Sequence, residues 1–395
     1  GRVLFRSDGK QIHGLNASGR APAAWTPEYF DGKTAMDLIG WNTVTVPGMV
    51  SGWVELSKKF GKLPFAQLFK RAIDYAENGF PVSPVIARQW REAIPILKNQ
   101  PGFAESFLID GKAPQAGQIW RFPAQAKTLQ EIAATQGESF YTGALAQSMV
   151  DFAQSSGGCF TMRDFADNKP DWVEPLAFDY GDYTLLEIPP NGSGIAAQMA
   201  LGILQAANVK QYPANSAQRI HLQIEAMRLA FADAYAYVSD SRSMSIPVTN
   251  LLNQDYLVSR AALIDHHKAG SYSAGDPHCG GTVYLCAADE SGMMISYIQS
   301  NFKGFGSGVV APGGIAFHNR GMSFSLQDGH PNQVSPGKRP FHTILPAFLM
   351  KNGKPAMAFG VMGGNMQPQG HRSEEHTSEL QSHLNLVCRL LLEKK

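Results

Sequence analysis

The chain has 395 residues, 44% of them hydrophobic and 17% charged, which is enough to bury a substantial core in one large domain or two. Its 34 basic and 33 acidic residues leave a formal charge of +1, and no run of Lys or Arg stands out. This balance excludes nucleic acid and anionic membrane as expected partners, so the expected ligand is a small molecule.

The 4 cysteines form neither a CxxC pair nor a dense disulfide scaffold, which favours a reducing, cytoplasmic compartment or unpaired thiols. No apolar run approaches the roughly 18 residues of a membrane span. The chain opens on Gly1 without an initiator Met or a signal peptide, so we expect the true N-terminus to be missing. A signal peptide ahead of Gly1 therefore stays an alternative, and the sequence does not assign the compartment.

The predicted elements begin with a helix-rich stretch over 27–100, where a helical period at 64–76 stops near Gly79. The pattern then predicts a helix at 145–155, a strand at 183–188, a turn at 189–194, and helices at 195–207 and 217–236. Short strands and glycine turns follow, with strands at 283–288, 293–300 and 356–361. The order indicates a mixed α and β fold.

The last segment, 372–395, begins with RSEEHTSELQSH, which resembles a conceptual translation of a sequencing-library adapter. We interpret it as a non-native tail. The alternative is a genuine C-terminal helix, because apolar residues recur at helical spacing at Leu380, Leu384, Val387 and Leu391.

Thr282 follows a glycine pair at the start of the apolar strand 283–288. If the bond from Gly281 to Thr282 breaks, Thr282 gains a free α-amino group that can act as base for its own hydroxyl. The chain would then be an amidase.

The segment DESGM at 289–293 suits a three-residue hairpin loop with Gly292 in the left-handed conformation. The resulting register places Thr282 opposite Ser300, whose hydroxyl can orient the nucleophile and relay its proton. The alternative is an ordinary Thr and Ser pair on neighbouring strands.

Several short motifs occur in the order seen in the γ-glutamyltransferase-like (γ-glutamyltranspeptidase) family: VPG at 46–48, FYTG at 140–143, PPNGSG at 189–194, GTVYLCAAD at 281–289, GFGSGVV at 304–310, PGKRP at 336–340 and MGGNMQPQ at 362–369. The chain resembles that family over about residues 1–371. The resemblance implies an α+β fold, the four-layer αββα sandwich of an N-terminal nucleophile hydrolase, here truncated at both ends.

The resemblance further implies a precursor that cuts itself between Gly281 and Thr282. Residues 1–281 would form the large-subunit region, and 282–371 the start of the small-subunit region. The α-amino group of Thr282, with an ordinary pKa of about 7.7, would accept the hydroxyl proton. Gly363 and Gly364 match the glycine pair whose N–H groups stabilise the oxyanion, although a strand-ending glycine pair is also an ordinary turn.

The chain departs from typical γ-glutamyl enzymes where those enzymes hold the substrate. Ser323 occupies the acidic position and Arg320 the amide position of the segment that binds the α-amino group, while His342 and Thr343 replace a serine pair. With Arg20, these residues suit an acyl group that carries a carboxylate but no α-amine. The alternatives are scaffold ion pairs for the two arginines and a structural role for His342.

This profile resembles the divergent bacterial branch of the family that includes oxamate amidohydrolase and glutaryl-cephalosporin acylases. We therefore expect an amidohydrolase or acyl transferase without cofactor or metal, its partners being its substrate and its own two subunits. One alternative is a true γ-glutamyltransferase or glutathione hydrolase, and another is an inactive, unprocessed fragment.

The turn at 304–308 superficially resembles a dinucleotide-binding loop but lacks GxGxxG spacing and a following helix. Metal hydrolysis has no HExxH or Cys/His cluster to support it.

Overall fold

The computed structural model describes residues 2–7, 11–213, 215–271 and 281–374, with the side chains of 2, 281, 282 and 372–374 outside that description. The helices are α1 Met49–Phe60, α2 Lys70–Asn78, α3 Pro84–Leu97, α4 Phe103–Phe107, α5 Pro123–Ala134, α6 Glu138–Tyr141, α7 Ala144–Ser155, α8 Met162–Asp167, α9 Ile195–Ala206, α10 Ala217–Tyr237, α11 Val248–Leu251, α12 Gln254–Ala261 and α13 Gln367–Glu374. The strands are β1 Arg2–Ser7, β2 Ile12–Asn16, β3 Phe80–Pro81, β4 Ile119–Trp120, β5 Asp171–Val173, β6 Leu176–Tyr180, β7 Tyr183–Glu187, β8 Gly281–Ala288, β9 Met294–Phe302, β10 Val310–Ala311, β11 Ile315–Ala316, β12 Ala347–Lys351 and β13 Lys354–Phe359. The expected non-native tail lies outside the described residues from 375 onward.

Two antiparallel sheets form the centre of the molecule. One has the strand order β5-β2-β1-β9-β8 and the other β13-β12-β7-β6. Alternate residues of the first sheet point to opposite faces, as the period of a strand requires. Val3 and Phe5 of β1 therefore join Leu186 of β7 and Phe348 of β12 in one buried cluster between the sheets. The sheets pack face to face as a sandwich.

Helices cover both outer faces of this sandwich. On the four-stranded sheet, Ala197 and Leu201 of α9 pack against Leu185. Because α9 is buried on all sides from 195 to 204, its sequence is apolar throughout rather than amphipathic. On the five-stranded sheet, Leu56 of α1 packs beside Leu4 of β1. The layers follow the order helix, sheet, sheet, helix.

The predicted hairpin at 289–293 is confirmed. The backbone N–H of Asp289 donates to the Met293 carbonyl at 3.0 Å, and Gly292 has a φ of 81°. The predicted helices at 145–155, 195–207 and 217–236 and the strand at 183–188 also agree with α7, α9, α10 and β7 within two residues. Local period and turn chemistry therefore identify these elements.

Three expectations about individual segments are corrected. The period at 64–76 is a 3-10 turn, Phe65–Phe69, followed by α2. The strand predicted at 356–361 is β13, which starts at Lys354 and ends at Phe359. The next residue is glycine because a side chain at Gly360 would come within 2.5 Å of the Tyr284 ring. Cys286 is disulfide-bonded, whereas Cys159 is a free thiol, so the expectation of unpaired thiols holds for Cys159 alone of these two. Cysteine spacing in the sequence does not report distance in the fold.

The glycine turn at 304–308 runs into the short strand β10 rather than a helix, so it lacks the helix N-terminus of a phosphate-binding loop. In the part of the chain that the structure describes, no helix combines the length and apolar character that crossing a bilayer requires.

Candidate active site

The start of β8 is where the five-stranded sheet loses its regular register. The predicted register holds from Val283 onward, but it shifts by one residue between Gly281 and Val283. Thr282 therefore faces two residues, Ser300 and Asn301, across a β-bulge. The predicted one-to-one pairing of Thr282 with Ser300 is corrected accordingly.

The bulge is stabilised by a side-chain hydrogen bond. Phe302, at the end of β9, has a φ of 78°, which an aromatic residue rarely adopts. Its backbone N–H donates to Ser300 Oγ at 2.8 Å. Such side-chain bonds compete with ladder pairing, which accounts for the register shift. A left-handed residue of this kind costs about 1–3 kcal/mol, and such residues cluster at functional sites.

Asn319 fixes the chain that leaves the bulge. Its backbone N–H donates to the Asn301 carbonyl at 3.2 Å, and its Oδ1 accepts from the backbone N–H of Lys303 at 3.2 Å. Its Nδ2 donates to the Leu38 carbonyl at 3.0 Å. These bonds hold the next residue, Arg320, in a defined place relative to the bulge.

Arg320 is a buried cation without a hydrogen-bonded anion among the described residues. It is only 2% exposed, and its Nε and Nη1 have no hydrogen-bond partner there. Its Cζ lies 5.1 Å from the centre of the Phe302 ring. Burial lowers the pKa of Arg320 to about 9, so the guanidinium stays charged at neutral pH. Because a buried unpaired charge is costly, this arrangement is suited to receive an anion.

His342 and Thr343 lie in the buried loop ahead of β12. His342 Nδ1 accepts a hydrogen bond from the backbone N–H of Ile344 at 3.3 Å, while Nε2 has no partner within the described ranges. Burial, together with the charge of Arg320, lowers the pKa of His342 well below its usual 6.5. Since a neutral ring that accepts at Nδ1 carries its hydrogen on Nε2, His342 has a free donor.

Acidic pH is expected to destabilise the fold through His318 and His342. Burial lowers the pKa of both well below 6.5. Below about pH 6.5 the unfolded chain binds more protons at these rings than the folded chain, so the free energy of unfolding falls as the pH falls. The expected slope is up to about 1.4 kcal/mol per pH unit for each ring.

Thermal melts between about pH 7 and pH 5 measure this slope. His342→Asn should flatten it, and the matched control His266→Asn, at an exposed position, should leave it unchanged. A melting temperature that holds constant or rises on acidification would contradict the prediction.

Gly363 and Gly364 follow β13 with φ values of 139° and 60°. A residue with a side chain cannot readily adopt the first of these, so glycine is required there. Neither backbone N–H donates a hydrogen bond to another described residue. The pair thus offers two available donors at the start of the 3-10 turn Gly364–Met366.

Two cavities border the bulge. A cavity of about 360 Å³ is lined by Phe302, Ser323 and Asn365, among others. Ser323 follows Arg320 by three residues and Asn365 directly follows the glycine pair, but neither Arg320 nor the two glycines line the cavity. A larger groove of about 1140 Å³, with mainly apolar walls, reaches Ser300 and Asn301 on the other side.

Arg20 is engaged elsewhere. Its Nη2 lies 3.1 Å from Asp171 and its Nη1 3.1 Å from Asp240. Arg339 also pairs with Asp171, and its backbone N–H donates to Asp240 at 3.0 Å. These contacts give Arg20 a scaffold role, so we leave it out of the proposed substrate contacts.

Sequence reasoning missed Phe302 and Asn319, which connect the bulge to Arg320. An Asn between a short strand and a 3-10 turn is a turn signal, but its three partners are fixed only by the fold. Nothing in the local sequence identifies Phe302 as left-handed.

A family profile described as gamma-glutamyltranspeptidase matches residues 2–374. The chain belongs to the gamma-glutamyltranspeptidase family. Among its curated relatives, the glutathione hydrolase-like YwrD proenzyme of Bacillus subtilis (strain 168) is 36% identical over 369 residues, covering 93% of this chain and 70% of the relative. The oxamate amidohydrolase proenzyme of Klebsiella pneumoniae subsp. pneumoniae is 37% identical over 362 residues, covering 90% of this chain and 68% of the relative.

Solved structures of gamma-glutamyltranspeptidase relatives have the same fold. The cephalosporin acylase from Bacillus halodurans matches with a TM-score of 0.88 at 43% identity, over 94% of this chain and 70% of that chain. The Helicobacter pylori gamma-glutamyltranspeptidase matches with a TM-score of 0.65 at 26% identity, over 68% of this chain and 79% of that chain.

These matches confirm the predicted family and its divergent acylase-like branch. They also confirm the α+β N-terminal nucleophile hydrolase fold and show that the family consists of enzymes with amidohydrolase and acylase members. The curated relatives are named as proenzymes, which agrees with maturation from a precursor. Among the described residues, no group of three or more His, Cys, Asp or Glu side chains could hold a metal ion.

Proposed function

We propose that this gamma-glutamyltranspeptidase-family chain is an amidohydrolase or acyl transferase for small amides whose acyl group carries a carboxylate. The chain would be cleaved between Gly281 and Thr282, leaving 1–281 as the large-subunit region and Thr282 as the first residue of the small subunit. The two regions would remain partners in one fold.

Thr282 would supply both nucleophile and base. Its Oγ attacks the amide carbonyl carbon while its α-amino group takes the hydroxyl proton. The backbone N–H groups of Gly363 and Gly364 would donate to the oxyanion, and Ser300 would orient the hydroxyl. When the C–N bond breaks, the departing amine takes the proton. Water then hydrolyses the ester, or an acceptor amine attacks it in a transfer.

The observation that carries the substrate assignment is the buried guanidinium of Arg320. Its Nε and Nη1 lack partners in the described part of the chain, and its Cζ lies over the ring of Phe302, the residue that follows the bulge facing Thr282. A substrate carboxylate would supply the missing anion through charge-assisted hydrogen bonds. The free Nε2–H of His342 is a further candidate donor. Thr343 directly follows His342, and Ser323 lies three residues after Arg320.

The same residues disfavour a γ-glutamyl substrate. Such a substrate carries an α-ammonium group, and Arg320 with Ser323 offers that group a cation and a hydroxyl rather than a carboxylate. Like charges brought together in a desolvated site cost several kcal/mol. The name of the oxamate amidohydrolase relative supports an acyl group without the α-amine, because the acyl group of oxamate carries a carboxylate and no amine.

Two anilides that differ in one group test this proposal. Glutaryl-p-nitroanilide and γ-glutamyl-p-nitroanilide share the leaving group and the chain length, and only the second has an α-amine. We expect kcat/KM to favour the glutaryl compound by about 10²-fold or more, because an ammonium group near Arg320 costs several kcal/mol. Butyryl-p-nitroanilide, which lacks the carboxylate, should react as slowly as the γ-glutamyl compound.

Oxamate, assayed by ammonia release, extends the comparison to a short acyl group. A preference for the γ-glutamyl anilide would instead favour a true γ-glutamyltransferase. A chain that stays intact and hydrolyses none of these amides would favour the alternative of an inactive, unprocessed chain.

A further inference from the structure

A buried acid and base pair lies behind the glycine loop. Glu187 ends β7 and His371 lies on α13, with Glu187 Oε1 and His371 Nδ1 2.7 Å apart. Both side chains are 0% exposed. A buried pair of this kind costs desolvation, and replacing such pairs by apolar residues is often neutral or stabilising. Stability alone therefore does not explain it.

The second oxygen of the Glu187 carboxylate lies against a helix end and has no hydrogen-bond partner among the described residues. A side chain at Gly194 would come within 2.4 Å of Glu187 Oε2, which places this oxygen against the first turn of α9. The positive end of a helix dipole favours a carboxylate there. Burial raises the pKa of Glu187, and the nearby His371 opposes that rise. The carboxylate is therefore packed against the start of α9, and His371 is its hydrogen-bonded partner.

The loop with Gly363 and Gly364 is attached to this pair at both ends. At its start, the ring of Phe359 packs against the ring of His371 with 5.3 Å between centres. At its end, α13 begins at Gln367, whose Oε1 accepts from the backbone N–H of Leu345 at 3.3 Å. His371 therefore contacts the residue before the loop and lies on the helix after it.

The same residues connect to the strand of the nucleophile. The carbonyl of Phe359 accepts a hydrogen bond from Ser296 Oγ at 3.1 Å. Ser296 Oγ in turn lies 3.0 Å from the hydroxyl of Tyr284, two residues after Thr282. A shift of His371 would therefore move the glycine loop relative to β8.

We propose that the buried pair of Glu187 and His371 is a positioning device that sets the backbone N–H groups of Gly363 and Gly364 against the start of β8. This inference rests on the proposed function, in which those N–H groups stabilise the oxyanion. Glu187 and His371 touch no substrate in this assignment and act through the loop.

Glu187→Gln tests the pair in the full chain, because it keeps the volume and removes the charge. We expect kcat for glutaryl-p-nitroanilide to fall about 10- to 10²-fold, since a small displacement of catalytic groups has an effect of that size. KM should stay within about twofold, because the oxyanion forms only in the transition state. His371→Asn, whose amide can replace the Nδ1 donor, should retain more activity than His371→Leu.

Asp233→Asn is the matched control, because Asp233 is a buried carboxylate paired with Arg260 at 3.0 Å between α10 and α12. It should lower stability without the selective fall in kcat. Equal effects of the two variants on kcat, or a change confined to KM, would overturn the assignment.

Hydrogen exchange separates this inference from the proposed function. Amides in the peptide 360–366 should exchange faster in Glu187→Gln than in Asp233→Asn, whether or not the chain hydrolyses any amide. Unchanged exchange in that peptide would overturn the positioning role. A wild-type chain without turnover would contradict the proposed function while this comparison still decides the role of the pair.

Discussion

Thr282→Ala is expected to remain one polypeptide and to hydrolyse glutaryl-p-nitroanilide at least about 10⁴-fold more slowly than the wild-type chain, because it lacks the attacking oxygen. In the proposed mechanism the same hydroxyl attacks the bond after Gly281, so both reactions should fail together. Intact-mass measurement reports the cleavage, and the release of nitroaniline reports the hydrolysis.

Thr282→Ser preserves the hydroxyl and should still be cleaved after Gly281. Thr142→Ala, at an exposed position far along the chain, should match the wild type in both assays. If Thr282→Ala were cleaved after Gly281 like the wild type, Thr282 would not be the cleaving nucleophile, and the assignment of Thr282 would be wrong.

The hairpin that carries Thr282 could be predicted because its signals are local. Alternating and apolar runs mark β8 and β9, and the loop needs one left-handed residue, which Gly292 supplies. Once the loop length is fixed, the register of the two strands follows by counting. The count fails only at the bulge, where Ser300 Oγ binds the backbone N–H of Phe302. Both residues lie in β9, but the chain around them is also bound by Asn319, which accepts from the Lys303 N–H and donates to the Asn301 carbonyl. Asn319 is distant in sequence from the hairpin, so counting within the hairpin cannot find the bulge.

The two arginines show why residue type does not decide a role. Arg20 and Arg320 were both expected to meet a substrate carboxylate. Arg20 meets Asp171 and Asp240, which lie 151 and 220 positions further along the chain. Arg320 meets the Phe302 ring and has unpartnered nitrogens in the described ranges. Only the packing of distant segments distinguishes the two environments, so the sequence could nominate both but could not separate them.

Glu187 stands out in the sequence of β7. It is a carboxylate inside the apolar run 185–188, where a charged residue is not expected without a partner. The partner, His371, is 184 positions away on α13. An unexplained charge in a buried strand could therefore have flagged the pair, although not the identity of its partner.

Arg320→Met is expected to raise the free energy of unfolding and to lower the activity on glutaryl-p-nitroanilide. The variant keeps much of the length of the side chain but removes a buried charge that is only 2% exposed. Because no anion among the described residues is hydrogen-bonded to the desolvated guanidinium, its removal should stabilise the fold by about 1–3 kcal/mol. The same change should lower kcat/KM for glutaryl-p-nitroanilide by about 30- to 10³-fold, since a charge-assisted contact worth about 2–4 kcal/mol is lost.

Arg339→Met is the matched control, because Arg339 is also buried but is paired with Asp171. Arg339→Met takes the donor away from the carbonyls of Ser18 and Lys169 and leaves Arg20 as the remaining partner of Asp171, so the melting temperature should fall rather than rise. Butyryl-p-nitroanilide completes the comparison: without a carboxylate, its kcat/KM should change less than about fivefold in Arg320→Met. If both anilides lost activity equally, Arg320 would act on the reaction in general, and the carboxylate assignment would have to be abandoned.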